Sequence, residues 1–390
     1  MDERRVILKP GKERSLLKRH PWIFSGAIAN MPSIEDGEVV SVYSFSCQFL
    51  GKAYFHTRNS IAGRVLTFLQ ESAEEAIAKK IDQAIALRAA IFDFSQTNCY
   101  RLINAEGDGI PGLIVDVYDT VLSIQINTCG IERMRDFLIS LLVEKLKPQA
   151  IFEKSISSAR KQEGLLPTQG FVYGTSPDEI RVLENGIAFQ VALEKGQKTG
   201  FFLDQREMRQ LISRLAKGKR VLNCFSYSGG FSIYALKAGA CHVTSIDCNE
   251  DALRLAKINT EINGLDLKNH EIQQADVFEY LRNTPLAFDL AVLDPPAFAK
   301  KKNDIIAACA GYKEINRLCF EKLPPKSFLL TSSCSHMIDP ELFQNVVFQA
   351  ALDAGRDVQI VSGHIQAADH PISLMHPEGL YLKSLLIYIN

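Results

Sequence analysis

The pattern of apolar and polar positions changes character twice along the chain. Over residues 6–8, 38–43, 49–54 and 61–68, short apolar runs alternate with glycine and proline, as in short strands joined by turns. Residues 1–72 therefore read as a small, mostly β module. From 72 to 92 the spacing becomes helical, with Ala76, Ile77, Ile81, Ile85 and Ala89 on one face and Ser72 with Glu75 forming a capping box. Strands at 100–104, 113–117 and 121–126 and a helix at 131–146 make residues 73–190 a central α+β section. It ends in a hairpin over 181–191, where Asn185-Gly186 favours the positive φ of a tight turn. Beyond residue 191 strand and helix alternate, at 220–225, 231–237, 242–247, 251–263, 271–275 and 288–293. Such alternation specifies βαβ units and a parallel, doubly wound α/β sheet in residues 191–390.

In such a sheet the ligand lies at the carboxyl ends of the strands, near the switch in strand order. The strand ending at Phe225 is followed by Ser226-Tyr227-Ser228-Gly229-Gly230 and then a helix. Small residues there let the backbone approach a ligand, and the helix N-terminus offers free N–H groups, although a structural turn would look the same. Asp247 ends the next strand, 18 residues beyond Gly229, where a carboxylate can accept hydrogen bonds from both ribose hydroxyls of a nucleoside. The turn is not G-x-G-x-x-G, which disfavours a pyrophosphate cofactor. Asp276 ends the third strand, placed either to meet an adenine amino group or to be a solvated strand end. Asp294-Pro295-Pro296-Ala297-Phe298 closes the fourth, and its two prolines make a stiff exit that holds Asp294 at the pocket. Phe298 could stack a flipped base. After a further strand at 328–331, Cys334 stands in Ser332-Ser333-Cys334-Ser335-His336, where a thiol is either buried filler or a nucleophile.

Composition narrows the classes. With 46% AVILMFWYC and 23% charged residues the chain reads as globular, and no apolar run approaches the roughly 18 residues that cross a bilayer. The opening Met-Asp-Glu-Arg-Arg lacks a signal peptide's apolar stretch, so neither a membrane nor an exported protein is expected. Nine cysteines without a C-x-x-C pair fit neither a disulfide scaffold nor a zinc site, and point to reduced thiols in the cytoplasm. Net charge is −1, but residues 1–24 set Arg4, Arg5, Lys9, Lys12, Arg14, Lys18 and Arg19 against Asp2, Glu3 and Glu13, a balance of +4 interleaved with Trp22 and Phe24. That run is either a phosphate-facing patch or a solvated face.

With these residues in view, the chain resembles the single-cysteine 23S ribosomal RNA cytosine-C5 methyltransferases, which depend on S-adenosylmethionine. The likeness spans nearly the whole length. Its most specific passages are residues 19–26, Lys198-Thr199-Gly200-Phe201-Phe202-Leu203-Asp204-Gln205-Arg206, Leu222 to Phe231, Asp294-Pro295-Pro296-Ala297-Phe298 and Ala367-Ala368-Asp369-His370-Pro371. The resemblance implies an N-terminal PUA RNA-binding module, a central α+β domain and a C-terminal Rossmann-like class I methyltransferase domain. It implies large-subunit ribosomal RNA as partner, no metal, and leaves a homodimer open. Phe225, Ser226, Ser228, Gly229, Asp247 and Asp276 would line the methyl-donor site, with Asp247 on the ribose and Asp276 on the adenine. Asp294 would serve both donor and target base, and Pro295, Pro296 and Phe298 would meet the substrate. Cys334 matches the nucleophile that adds to C6 of cytosine. Many relatives carry a second cysteine after the two prolines; this chain has Ala297, which leaves the base that removes the C5 proton unassigned. His336 matches no motif and receives no role. A methyltransferase acting on a base nitrogen or guanine, and a non-catalytic RNA-binding assembly factor, are the alternatives.

Overall fold

The computed structural model describes residues 4–175, 177–194 and 200–390; Asp2, Glu3, Lys198 and Thr199 lie outside the described residues. The chain divides into two compact units. Met1–Val182, Val191–Phe201 and Ala368–Gly379 form the first, and Leu183–Gln190, Phe202–Ala367 and Leu380–Asn390 the second.

In the first unit, β1 (Arg5–Leu8), the short helix α1 (Arg14–Leu17), β2 (Trp22–Phe24), β3 (Ile28–Asn30), β4 (Val39–Tyr43), β5 (Phe49–Phe55) and β6 (Ile61–Thr67) give a six-stranded sheet of order β2-β6-β5-β4-β1-β3. The three-residue strands β2 and β3 escape the sequence reading because they are too short to show alternation. Then come α2 (Ala73–Ile91), β7 (Cys99–Asn104), β8 (Leu113–Tyr118), β9 (Val121–Ile126), α3 (Cys129–Arg133), α4 (Arg135–Leu146), β10 (Ala150–Ser155), α5 (Ser158–Gln162) and β11 (Thr168–Gly174). Their sheet runs β11-β10-β9-β8-β7. The capping box of α2 forms as expected, with Ser72 and Glu75 exchanging hydrogen bonds of 3.0 Å. The helix expected at 131–146 is two helices, broken at Met134. Tyr54 of β5 is fully buried among residues of the second sheet, and its hydroxyl donates to Pro111 O at 2.8 Å. The β module and the α+β section thus share one core. Arg88 of α2, also fully buried, forks onto Asp108 at 2.5 and 2.9 Å and reaches Asp369 O at 2.8 Å, while Asp369 Oδ2 accepts from Arg101 N. The Ala367-to-Pro371 passage is therefore partly a structural lock.

A hairpin of β12 (Ile180–Glu184) and β13 (Ile187–Val191) follows, turning at Asn185 and Gly186 with φ 51° and 75°. The second unit contains α6 (Arg206–Ala216), β14 (Arg220–Cys224), α7 (Gly230–Lys237), β15 (His242–Asp247), α8 (Glu250–Ile262), β16 (His270–Gln274), α9 (Val277–Asn283), β17 (Leu290–Leu293), α10 (Ile305–Lys322), β18 (Ser327–Ser333), α11 (Pro340–Asp353), β19 (Val358–Ile365) and β20 (Lys383–Ile389). Its seven-stranded sheet has the order β16-β15-β14-β17-β18-β20-β19. The first five strands are parallel; β20 runs antiparallel to β18 and β19. The order reverses at β14, so the carboxyl ends of β14, β15 and β17 frame the switch point that the alternation predicts. Leu222, Leu293, Tyr312, Phe320 and Phe343 belong to the buried layer between this sheet and α9, α10 and α11. A second layer, from Met208 and Ile212 of α6 to Phe231 of α7, covers the other face. No helix among the described residues is long and apolar enough to cross a membrane.

Candidate active site

The loop after β14 is wound tightly. Phe225, Tyr227 and Gly229 take positive φ of 58°, 47° and 79°, a conformation that costs a non-glycine residue about 1–2 kcal/mol. Its own hydrogen bonds hold it: Ser226 N–H donates to Ile246 O at 3.0 Å, and Tyr227 N–H to Asp247 Oδ2 at 2.9 Å. Asp247 Oδ1 accepts from Asn249 N at 2.9 Å. Each oxygen of the half-buried carboxylate therefore uses one acceptor site on the backbone and keeps another. The hydroxyls of Ser226 and Ser228 are buried and find no partner among the described residues. Orphaned hydroxyls beside an acid at a helix N-terminus suit a polar ligand. Gly229 has a packing reason as well, because a Cβ there would come within 3.0 Å of Ala256 Cβ on α8.

Beneath the loop runs a buried chain of hydrogen bonds: Asn223 Nδ2 to Ser232 Oγ, Ser232 to Ser245, Ser245 to His270 Nε2, His270 Nδ1 to Thr260 Oγ1, and Thr260 to Ala256 O, at 2.6–2.8 Å. Asn223 can only donate through Nδ2 and Ala256 O can only accept, so every hydroxyl points the same way and His270 carries its proton on Nδ1. Burial, with His242 adding repulsion, depresses the pKa of His270 to about 4, which keeps the ring neutral as the chain requires.

Asp276 is exposed and caps α9, its Oδ1 accepting from Glu279 N at 3.0 Å. That cap accounts for an aspartate here without a ligand.

β17 leads into Asp294, half-buried and accepting from Gln205 Nε2 at 2.7 Å. Pro295 is buried and Pro296 exposed. The half-buried Cys334 thiol, just past the end of β18, lies 3.8 Å from Pro295 O. Two expected sites, a proline-stiffened acid and a thiol 40 residues apart, thus meet. Ser335 fixes their relation: its Oγ accepts from Ala299 N at 3.1 Å and bonds to the Tyr312 hydroxyl at 2.9 Å. Phe298 turns toward the core, its ring centroid 4.7 Å from Tyr312 and 6.0 Å from Phe278. His336 is exposed.

Two neighbours received no role from the sequence. Gln205 stands in a quoted passage and orients Asp294. Lys383, first residue of β20, is buried, with Nζ donating to Ser335 O at 2.6 Å and Tyr381 O at 2.9 Å. Only antiparallel pairing brings the start of β20 to the end of β18, and no local spacing signals it. Among the described residues no group of three His, Cys, Asp or Glu is arranged to hold a metal ion.

Residues 168–356 match the family model of an S-adenosylmethionine-dependent methyltransferase, and residues 6–68 that of a PUA-like domain. The ribosomal RNA large subunit methyltransferase I of Shewanella denitrificans is 44% identical over 390 residues, 98% of each chain. Among solved structures, a SAM-dependent methyltransferase from Streptococcus mutans superposes with a TM-score of 0.83 at 26% identity, covering 98% of this chain and 99% of its own. A methyltransferase complexed with SAH gives 0.85 at 26% identity, with the same coverage.

Proposed function

The chain belongs to the ribosomal RNA large subunit methyltransferase I family, and from that premise we propose that it methylates C5 of a cytosine in large-subunit ribosomal RNA through a covalent bond between Cys334 and C6. One observation carries the reading: the thiol lies against the carbonyl of Pro295, inside the exit that holds Asp294. Cytosine C5 is a weak nucleophile until something adds to C6. The Cys334 sulfur supplies that pair of electrons, and charge gathers at N3, where protonated Asp294, or a donor it positions, stabilises it. Gln205 keeps Asp294 in place. Bound S-adenosylmethionine supplies an electrophilic methyl group for C5; the residues that fit it are Asp247, for the ribose, and the orphaned hydroxyls of Ser226 and Ser228. Phe225, Gly229 and Asp276 complete this wall, with Asp276 toward the adenine. Loss of the C5 proton then expels the Cys334 sulfur. Pro295 and Pro296 set the position of the base.

The nitrogen-methylating alternative asks Phe298 to stack the base, and its ring is occupied by Tyr312 and Phe278. Cys334→Ala is expected to abolish turnover while titration calorimetry still detects S-adenosylmethionine binding. Substrate RNA containing 5-fluorocytidine should leave the wild-type enzyme covalently attached through Cys334, because fluorine cannot leave C5 as a proton does. Near-normal turnover in Cys334→Ala, or no denaturant-resistant complex with that RNA, overturns the carbon mechanism.

A further inference from the structure

A cysteine that attacks carbon must be a thiolate, and a free thiol with a pKa of about 8.5 is mostly protonated at neutral pH. The electrostatic surroundings of Cys334 therefore matter as much as its position. On β20 and the segment leading to it, Lys383 and Tyr381 face the thiol's loop. That loop carries His336, exposed, and Asp339, whose carboxylate caps α11. From α10 comes Tyr312, its pKa raised chiefly by burial. From the exit of β17 comes Asp294, and from the turn before α6 comes Asp204, which accepts from the Tyr381 hydroxyl at 2.7 Å. Lys383 is the cation in this group.

We infer that the Lys383 ammonium is the counter-charge that holds Cys334 as a thiolate for attack on the base. Its position is fixed by two carbonyls, Ser335 O and Tyr381 O, which take two of its three N–H donors and leave the third. One of those carbonyls belongs to the residue following Cys334. Lys383 as a residue is 6% exposed, so solvent screens its field little. Burial lowers the Lys383 pKa to about 8, while the negative charges of Cys334 and Asp339 oppose that fall, so the side chain remains mostly charged at pH 7. When Cys334 ionises, the proton leaves to water and Lys383 keeps its own. Lys383 is thus a positioning residue, acting on the reaction through the sulfur.

The inference rests on Cys334 as the nucleophile of the proposed reaction, but its test reads the thiol itself, so each can fail alone. Full-length protein is alkylated with iodoacetamide across a pH series, and the rate at Cys334 is followed by peptide mass spectrometry. Lys383→Met, which keeps the stem and removes the charge, should move the midpoint up by about one pH unit or more, leaving about tenfold less thiolate at pH 7. The plateau rate at high pH reports accessibility and should stay the same. An unmoved midpoint, with or without a changed plateau, makes Lys383 a strut and overturns the inference. A second measurement avoids altering Lys383: in Cys334→Ser the Cε resonance of Lys383 should titrate at lower pH than in wild type, since its counter-charge is gone. Titration at the same pH overturns the inference equally.

Discussion

Asp247 holds the donor loop and, in the proposed function, the donor itself. Its two oxygens accept from Tyr227 N and Asn249 N, and the first of these bonds pins a tyrosine in left-handed backbone. Asp247→Ala should weaken S-adenosylmethionine binding by about 1.5–3 kcal/mol, the range for hydrogen bonds to a charged group, and calorimetry reading an unchanged affinity removes the assignment. The place of Asp247 at a strand's end beside the glycine turn is legible in the sequence, because the apolar run before it marks the strand locally. Ser226 and Ser228 are legible as small residues of that turn. Lys383 and Gln205 are not, since each owes its place to a partner far away in the chain.

The elements are legible where their pattern is local. The capping box announces α2, and the apolar runs announce β14, β15 and β17. The helices α10 and α11 and the strands β19 and β20 were not anticipated. Five of the eight residues of β19 are exposed, and its apolar residues are broken by Gln359, Ser362, Gly363 and His364, while α10 is apolar around much of its circumference. The His270 side chain ties β15 to α8 through Ser245 and Thr260 and must stay neutral to accept from Ser245. Its pKa of about 4 in the fold lies below the ordinary value of 6.5, so between those values the unfolded chain binds a proton that the folded chain refuses. This contribution is complete above pH 6.5 and is lost as pH falls toward 4. Urea denaturation should show about 2 kcal/mol less stability at pH 5 than at pH 7 from this group. His270→Gln should flatten the difference, and an equal pH dependence in the variant would assign the acid sensitivity elsewhere.

At the scale of the whole molecule, a β-rich first module is legible from its short strands and a doubly wound sheet from its alternation, while their PUA-like and methyltransferase identities are legible only through the family resemblance. The basic run is only partly free. Arg4 pairs with Glu38, Lys9 Nζ donates to Gly26 O, and Trp22 is held by Glu106 and by the ring of His376 at 4.4 Å. Arg14 and Lys18 are exposed, one turn apart along α1 and its cap. Reversing both to Glu should lower RNA affinity and flatten its salt dependence by about one unit of log–log slope per lost phosphate contact, with S-adenosylmethionine binding intact. Equal binding by variant and wild type across a salt series identifies a merely solvated face. A different consequence follows from the order of the last strands. Although β19 comes next after β18 in the chain, β20 lies between them, so both final seams of the sheet close in one event. The same insertion carries Lys383 to Ser335, the residue after Cys334. If Lys383 is the counter-charge of Cys334, the thiol becomes reactive only once β20 is in place, when crossed disulfides and stray alkylation have lost their easiest opportunity.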